Sequence, residues 1–209
     1  MLSIVVLASG NGSNFQAIAE HAAQANFTVK ALIANQDEAF ALQRAKKLGI
    51  PAHCVAHHAF TDRKYFEQAI DQVISQYTPV DYIILAGFMR VLTADFIKKY
   101  DGRIINLHPS LLPKYKGLQT HAKALAAGEK LHGMTIHFVN ENLDEGPIIL
   151  QVPVKIAADD DVSSLMQKVQ AKERQYYPQV ISWLAQGRIR LEGTRVYFDD
   201  QLLTDRGIA

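Results

Sequence analysis

The chain has 209 residues, 48% of them hydrophobic and 21% charged, which suffices for one substantial core and leaves no long stretch poor enough in apolar residues to be disordered. Its formal net charge is +1, without a basic block, so charge gives no reason to expect nucleic acid or an anionic membrane as a partner. The single cysteine, Cys54, excludes an intramolecular disulfide and fits a reducing cytosol. Met1 to Leu7 has no basic n-region and breaks at Ser9-Gly10, so no signal peptide is expected, and no segment approaches the length of a membrane span.

In chain order, Ile4 to Ala8 is an apolar run without alternation, as in a strand buried on both faces. Ser9 to Asn14 interrupts it, and a helical pattern follows to about Gln24. Phe27 to Ala34 reads as a second strand, and Ala39 to Leu48 as a helix stopped by Gly49 and Pro51. Ala52 to Ala56 is a third strand, Asp62 to Tyr77 a helix capped by Asp62, and Asp81 to Ala86 a fourth strand. Thr93 to Tyr100 is a short helix and Arg103 to His108 a fifth strand. This alternation predicts right-handed crossovers and a parallel sheet.

After His108 the pattern changes. A loop rich in Pro, Lys and Leu leads to a helix from His121 to Ala127, closed by Gly128. Met134 to Val139 and Ile148 to Ile156 are strands separated by the polar stretch Asn140 to Gly146. A helix from about Val162 through Ala185 is expected to be interrupted at Pro178 and to end at Gly187. Arg188 to Phe198, with Glu192-Gly193-Thr194 in its middle, reads as a terminal hairpin. The expected class is α/β: a Rossmann-like, mostly parallel sheet with helices on both faces and antiparallel additions in the C-terminal half. One domain, 1–209, is expected, with halves 1–108 and 109–209.

Gly10-Asn11-Gly12-Ser13-Asn14-Phe15 lies between a strand and a helix. Backbone amides at a helix N-terminus, approached closely past glycine, suit an anion such as phosphate. The dinucleotide fingerprint needs a third glycine where Phe15 stands, and an acidic residue where Asn35 stands, so NAD binding is rejected. No Gly-Lys-Ser/Thr follows, so the Walker pattern fails too. A plain glycine turn with Ser13 as helix cap accounts for the loop equally well.

Alternation along Arg103 to His108 puts Asn106 and His108 on one face of a strand that Pro109 ends. In open parallel sheets ligands bind at that carboxyl edge. A lone histidine is more often structural, but an amide and an imidazole together at this edge favour a site. Asp144, in the acidic loop Asn140 to Gly146, reads by itself as part of a solvated turn. Folded against His108, its carboxylate would favour the imidazolium form. His108 would then donate to a developing oxyanion and act as an acid, with Asn106 as a second, neutral donor.

Other histidines do not make a metal motif. His57-His58 are adjacent, His132 and His137 lack helical i, i+4 spacing, and Cys54 has no cysteine partner, so no metal is expected. Ser110 has no Gly-x-Ser-x-Gly surroundings, which disfavours a serine hydrolase. Lys114 and Lys116 read as a solvated loop, or as mild attraction for a polyanionic tail.

The chain resembles the phosphoribosylglycinamide formyltransferases, enzymes of purine synthesis. The stretches that carry the resemblance are Ser9 to Asn14, Leu85 to Arg90, Asn106 to Tyr115 and Leu143 to Ile149. The His-Pro-Ser-Leu-Leu-Pro run is common to folate-dependent formyltransferases, and the Gly-Asn-Gly-Ser-Asn loop narrows the likeness to the glycinamide enzymes. One variation is Glu145, where some members carry Gly. The resemblance implies that the amine of glycinamide ribonucleotide attacks the formyl carbon of 10-formyltetrahydrofolate, a co-substrate. Asn106, His108 and Asp144 would be catalytic, with Asp144 also helping to organise a water that moves the proton to the leaving nitrogen. Gly12, Ser13 and Asn14 would bind the substrate phosphate and Glu173 the ribose hydroxyls. By itself Glu173 looks like any exposed helical glutamate. The folate would meet Met89, Arg90, Val91 and Leu92, the backbone of Asn140, Glu141, Asn142, Leu143 and Asp144, and Arg63. A flat pterin in an apolar slot, with arginine near its glutamate tail, fits those residue types; core packing at a helix start accounts for Met89 to Leu92 as well.

The expected enzyme is therefore cytoplasmic, a monomer or homodimer, and acts on small molecules without nucleic acid or membrane. A 10-formyltetrahydrofolate hydrolase would share the site, but those enzymes carry an N-terminal regulatory domain. A methionyl-tRNA formyltransferase would need a C-terminal RNA-binding domain. A non-catalytic folate- or nucleotide-binding module would not need Asn106, His108 and Asp144 together.

Overall fold

The computed structural model describes residues Met1–Ile208. Seven strands form one sheet in the order β3-β2-β1-β4-β5-β6-β7, and three more form a small sheet, β10-β9-β8. By internal contacts the chain divides into two compact units, Met1–Ile105 and Asn106 onward. The boundary falls inside β5 (Ile104–His108).

In the first unit, β1 (Leu2–Ala8) pairs in parallel with β2 (Phe27–Ala34) and with β4 (Tyr82–Leu85), and β2 pairs in parallel with β3 (Ala52–Cys54). Strand β1 is apolar and wholly inaccessible from Ile4 to Ala8, as a strand covered on both faces must be. Helices α1 (Ser13–Ala22), α2 (Phe40–Lys47), α3 (Arg63–Ser75) and α4 (Ala94–Lys99) connect the strands. Asp62 accepts from the amide of Lys64 at 2.7 Å and starts α3, as the sequence predicts. The strand order reverses between β1 and β4, and the carboxyl ends flanking such a reversal are where open α/β sheets bind ligands. Two of the sequence-predicted segments, the glycine loop and Met89 to Leu92, leave those two ends.

The second unit contains α5 (Thr120–Ala126), the antiparallel pair β6 (Leu131–Phe138) and β7 (Ile148–Lys155), and the long α6 (Val162–Ala185). Helix α6 begins with a reciprocal cap. Asp161 accepts from the Ser164 amide, and the Ser164 hydroxyl accepts from the Asp161 amide.

The expected interruption at Pro178 does not occur; α6 is continuous through it. A proline inside a helix costs about 3 kcal/mol. Beyond it the helix buries Val180, Ile181 and Leu184, each contributing about 1.5–3 kcal/mol, so tertiary burial outweighs the local cost.

Strands β8 (Ile189–Glu192) and β9 (Arg195–Phe198) form the expected hairpin, with Glu192 opposite Arg195. A further strand, β10 (Gln201–Leu202), was not foreseen and pairs with β9.

Candidate active site

The glycine loop leaves β1 and opens α1. Gly12 occupies the left-handed region (φ 75°) as N-cap residue, without a side-chain cap. Ser13 is therefore the first helical residue and not the cap that the plain-turn reading required. A Cβ at Gly12 would lie 2.6 Å from the Cβ of Ala41 on α2, so glycine is required by packing as well as by φ. Arg44 clamps the loop from outside, donating from Nε to the Asn11 carbonyl (2.8 Å) and from Nη2 to its side chain (2.9 Å). The first amides of a helix have no intrahelical partner. Held in this way, the start of α1 is a ready seat for an anion. Asn14 is buried within it.

Met89 to Leu92 follow β4. The Met89 amide donates to the Ser9 hydroxyl at 2.7 Å, and the Ser9 amide to the Gly87 carbonyl at 3.1 Å. At the far end, buried Glu67 on α3 accepts from the Thr93 amide at 2.7 Å and from the Thr93 hydroxyl. The segment is thus pinned at both ends, yet Met89 and Val91 stay 60% and 52% exposed. Arg90 is exposed and Leu92 buried. Arg63 is exposed at the first position of α3. Exposed apolar side chains on a rigid segment suit a flat ring better than core packing does, and only Leu92 packs as core.

In the second unit the structure brings Asn106, His108 and Asp144 together. His108 is buried. Its Nδ1 lies 3.4 Å from Asp144 Oδ2, and its Nε2 donates to the Tyr115 carbonyl at 2.9 Å. Both ring nitrogens face acceptors. Asp144 Oδ2 also accepts from the Gly117 amide at 2.8 Å. Asp144 takes a left-handed backbone (φ 53°), uncommon for a residue with a side chain. Its loop closes on itself: Asn140 Oδ1 accepts from the Asn142 amide, and Asn140 Nδ2 donates to the Glu145 carbonyl. Glu141, Asn142 and Leu143 are exposed. Lys116 pairs with Glu145, and Lys114 with Glu129.

A fourth member, His137 on β6, was considered in the sequence only as a metal ligand and set aside. It is 2% exposed. Its Nδ1 lies 2.8 Å from the Phe138 carbonyl, which can only accept, so Nδ1 carries the proton. Its Nε2 is then an acceptor for Asn106 Nδ2 at 3.2 Å. Burial holds the His137 pKa below the ordinary histidine value, consistent with a neutral ring. Its 3.9 Å approach to Asp144 is therefore not an ion pair. One N–H of Asn106 is spent on His137, and the amide is oriented by it.

Glu173 is not an exposed helical glutamate as the sequence suggested; it is 6% exposed. It shares the α6 stripe of Val169 and Tyr177, four residues to either side, and that face is buried.

Elsewhere, His132 is buried with its Nε2 3.0 Å from His121 Nδ1, and burial takes its pKa down to about 4. The Cys54 thiol, though exposed, donates to Asp37, and partial desolvation together with that carboxylate raises its pKa to about 11. Among the described residues, no group of three or more His, Cys, Asp or Glu is placed to hold a metal ion. No helix among them is long and apolar enough to cross a membrane.

The formyl transferase family matches residues 2–181. Phosphoribosylglycinamide formyltransferase of Escherichia coli is 44% identical over 211 aligned residues, covering 100% of this chain and 99% of that protein. The Haemophilus influenzae protein of the same name is 39% identical, again covering 100% and 99%. Among solved structures, the phosphoribosylglycinamide formyltransferase of Coxiella burnetii superposes with a TM-score of 0.94 at 44% identity, covering 99% of this chain and 97% of that one.

Proposed function

The chain belongs to the formyl transferase family, and on that premise we propose that it catalyses the reaction for which its full-length relatives are named. It moves the formyl group of 10-formyltetrahydrofolate to the amine of 5'-phosphoribosylglycinamide, a step of purine biosynthesis. The products are formylglycinamide ribonucleotide and tetrahydrofolate. The observation that carries this reading is the contact of Asp144 with His108, beside an Asn106 oriented by His137.

The amine nitrogen forms a bond to the formyl carbon, and the carbonyl oxygen becomes an oxyanion. Asn106 donates its remaining N–H to that oxygen. His108 donates from Nε2, exchanging the Tyr115 carbonyl for the oxyanion, which is charged and so the stronger acceptor. Asp144 faces Nδ1 and orients the ring. The bond from carbon to the folate nitrogen then breaks, and the amine proton passes to that nitrogen through a water that Asp144 helps to organise. No covalent enzyme intermediate and no metal is needed.

The amides of Gly12, Ser13 and Asn14 are assigned to the substrate phosphate, and Glu173 to the ribose hydroxyls. Met89, Arg90, Val91, Leu92, Arg63 and the backbone of Asn140 to Asp144 are assigned to the folate. The exposed apolar Met89 and Val91 support that assignment. We propose one domain, a monomer or homodimer, with small molecules as its partners and neither nucleic acid nor membrane. Cys54 is a free exposed thiol, as the cytoplasm permits.

The test is to mix the chain with 10-formyltetrahydrofolate and follow deformylated folate with and without glycinamide ribonucleotide. Turnover is expected only with the amine. Turnover without it would make the chain a hydrolase, and none in either case would leave a binding module.

A further inference from the structure

The loop that carries Asp144 joins β6 to β7, and the pairing of those strands is irregular next to it. Ile136 faces Leu150, but His137 faces Ile148, so Ile149 is an extra residue on β7. Such a bulge bends its strand and leaves the extra residue without a partner in the ladder. Strand β7 is also the last of the seven-stranded sheet, so its outer edge has no neighbouring strand.

The end of the chain covers that place. After β10, the Gly207 amide donates to the Thr204 carbonyl at 2.9 Å and closes a turn. Ile208 then pairs in parallel with Leu150. The Ile208 amide donates to the Ile149 carbonyl at 2.8 Å, and the Ile208 carbonyl accepts from the Gln151 amide at 3.4 Å. Gly207 is left-handed (φ 72°), and a Cβ there would lie 2.5 Å from the Ile149 carbonyl oxygen, so only glycine lets the chain approach so closely. The bulged residue thus takes its backbone partner from residues far outside the hairpin.

A cavity of about 540 Å³ is lined by Asp144, Gly146 and Ile148 together with Val196, Leu203 and Asp205. The Ile208 pairing is thus a backbone link between the segment after the small sheet and the strand that follows the Asp144 loop. The clamp lies beyond residue 181, where the family match ends.

We propose that Gly207 and Ile208 are positioning residues for Asp144: by binding the bulge at Ile149 they set the register of β7 and hold the hairpin that presents Asp144 to His108. This rests on Asp144 acting as read above. Both ends of the loop are tied to the bulge region, since the Phe138 amide donates to the Pro147 carbonyl at 2.9 Å. A slip at Ile149 would therefore be passed to the whole loop.

Ile208→Pro removes the clamping N–H, Gly207→Ala sets a Cβ against Ile149, and the exposed Arg206→Ala is the control. Each is measured by steady-state turnover in the unaltered and Asp144→Asn backgrounds, and by hydrogen exchange. Ile208→Pro and Gly207→Ala should lower kcat by about tenfold or more, with KM values changed less than about twofold. In the Asp144→Asn background neither should lower it further. Exchange of the Glu145 to Ile149 amides should rise, while that of Ile4 to Ala8 stays as it was. Losses that multiply with Asp144→Asn, or unchanged turnover and exchange, would overturn the proposal. If Ile208→Pro does not fold, Gly207→Ala decides in the same way. If the unaltered chain shows no turnover, the transferase reading fails on its own, and loop exchange alone decides the clamp: faster supports it, unchanged sinks it.

Discussion

His137 sets the direction of the Asn106 amide because the Phe138 carbonyl forces its proton onto Nδ1. Replacing it with phenylalanine leaves an Asn106 N–H unpaired beside the site. Turnover should fall by about tenfold to a hundredfold, the equivalent of one mis-set buried hydrogen bond. His108→Ala and Asp144→Ala remove the donor proposed for the oxyanion and the carboxylate that faces its ring. Each should lower kcat by about a hundredfold to ten-thousandfold, with the fold retained by circular dichroism. An Asp144→Ala chain of full activity would sink the assignment. Gly12 is a residue with two separate demands on it, its φ and the approach of Ala41. Gly12→Ala should cost at least about 1–3 kcal/mol in denaturant unfolding, whatever it does to phosphate binding.

At the scale of elements, the carboxyl ends of β1, β4 and β5 supply the glycine loop, Met89 to Leu92, and Asn106 with His108. Short tethers decide how firmly these segments are held. Glu67 ties α3 to Thr93 at the start of α4. Glu67→Gln should leave the core intact but loosen the preceding segment, raising KM for the folate more than for the ribonucleotide. Equal changes in both constants would show that Glu67 serves the fold alone. Helix α6 shows the reverse relation: its proline is overridden because the buried stripe beyond it is worth more than the local defect.

At the scale of the molecule, two buried histidines make stability depend on pH. His132 and His137 have folded pKa values below the ordinary 6.5, His132 at about 4, because burial disfavours their charged forms. Below pH 6.5 the unfolded chain binds the extra protons. Stability is therefore complete above that pH and is lost as pH falls toward 4. For His132 the loss should be on the order of 2–3 kcal/mol, read as a falling denaturant midpoint between neutral pH and pH 4. A midpoint flat over that range in the unaltered chain would contradict the burial argument.

The order of strands and helices was legible in the sequence, because apolar period and turn residues report local structure directly. So was the place of Asn106 and His108 at the carboxyl end of β5, since a proline after a strand marks that end. The Asp144 loop looked solvated, and nothing in its own residues directs it to His108; that contact exists because the β6–β7 hairpin returns it there. Ser9, Glu67, Arg44 and His137 act through partners far away in the chain, and their residue types alone carry no such signal. Glu173 looked exposed because one glutamate does not reveal which side of a helix it occupies. The sequence by itself therefore determined the elements and the sheet edge at which chemistry can occur. The tertiary structure alone decided which side chains face His108 there, because partner choice depends on long-range packing and not on local period.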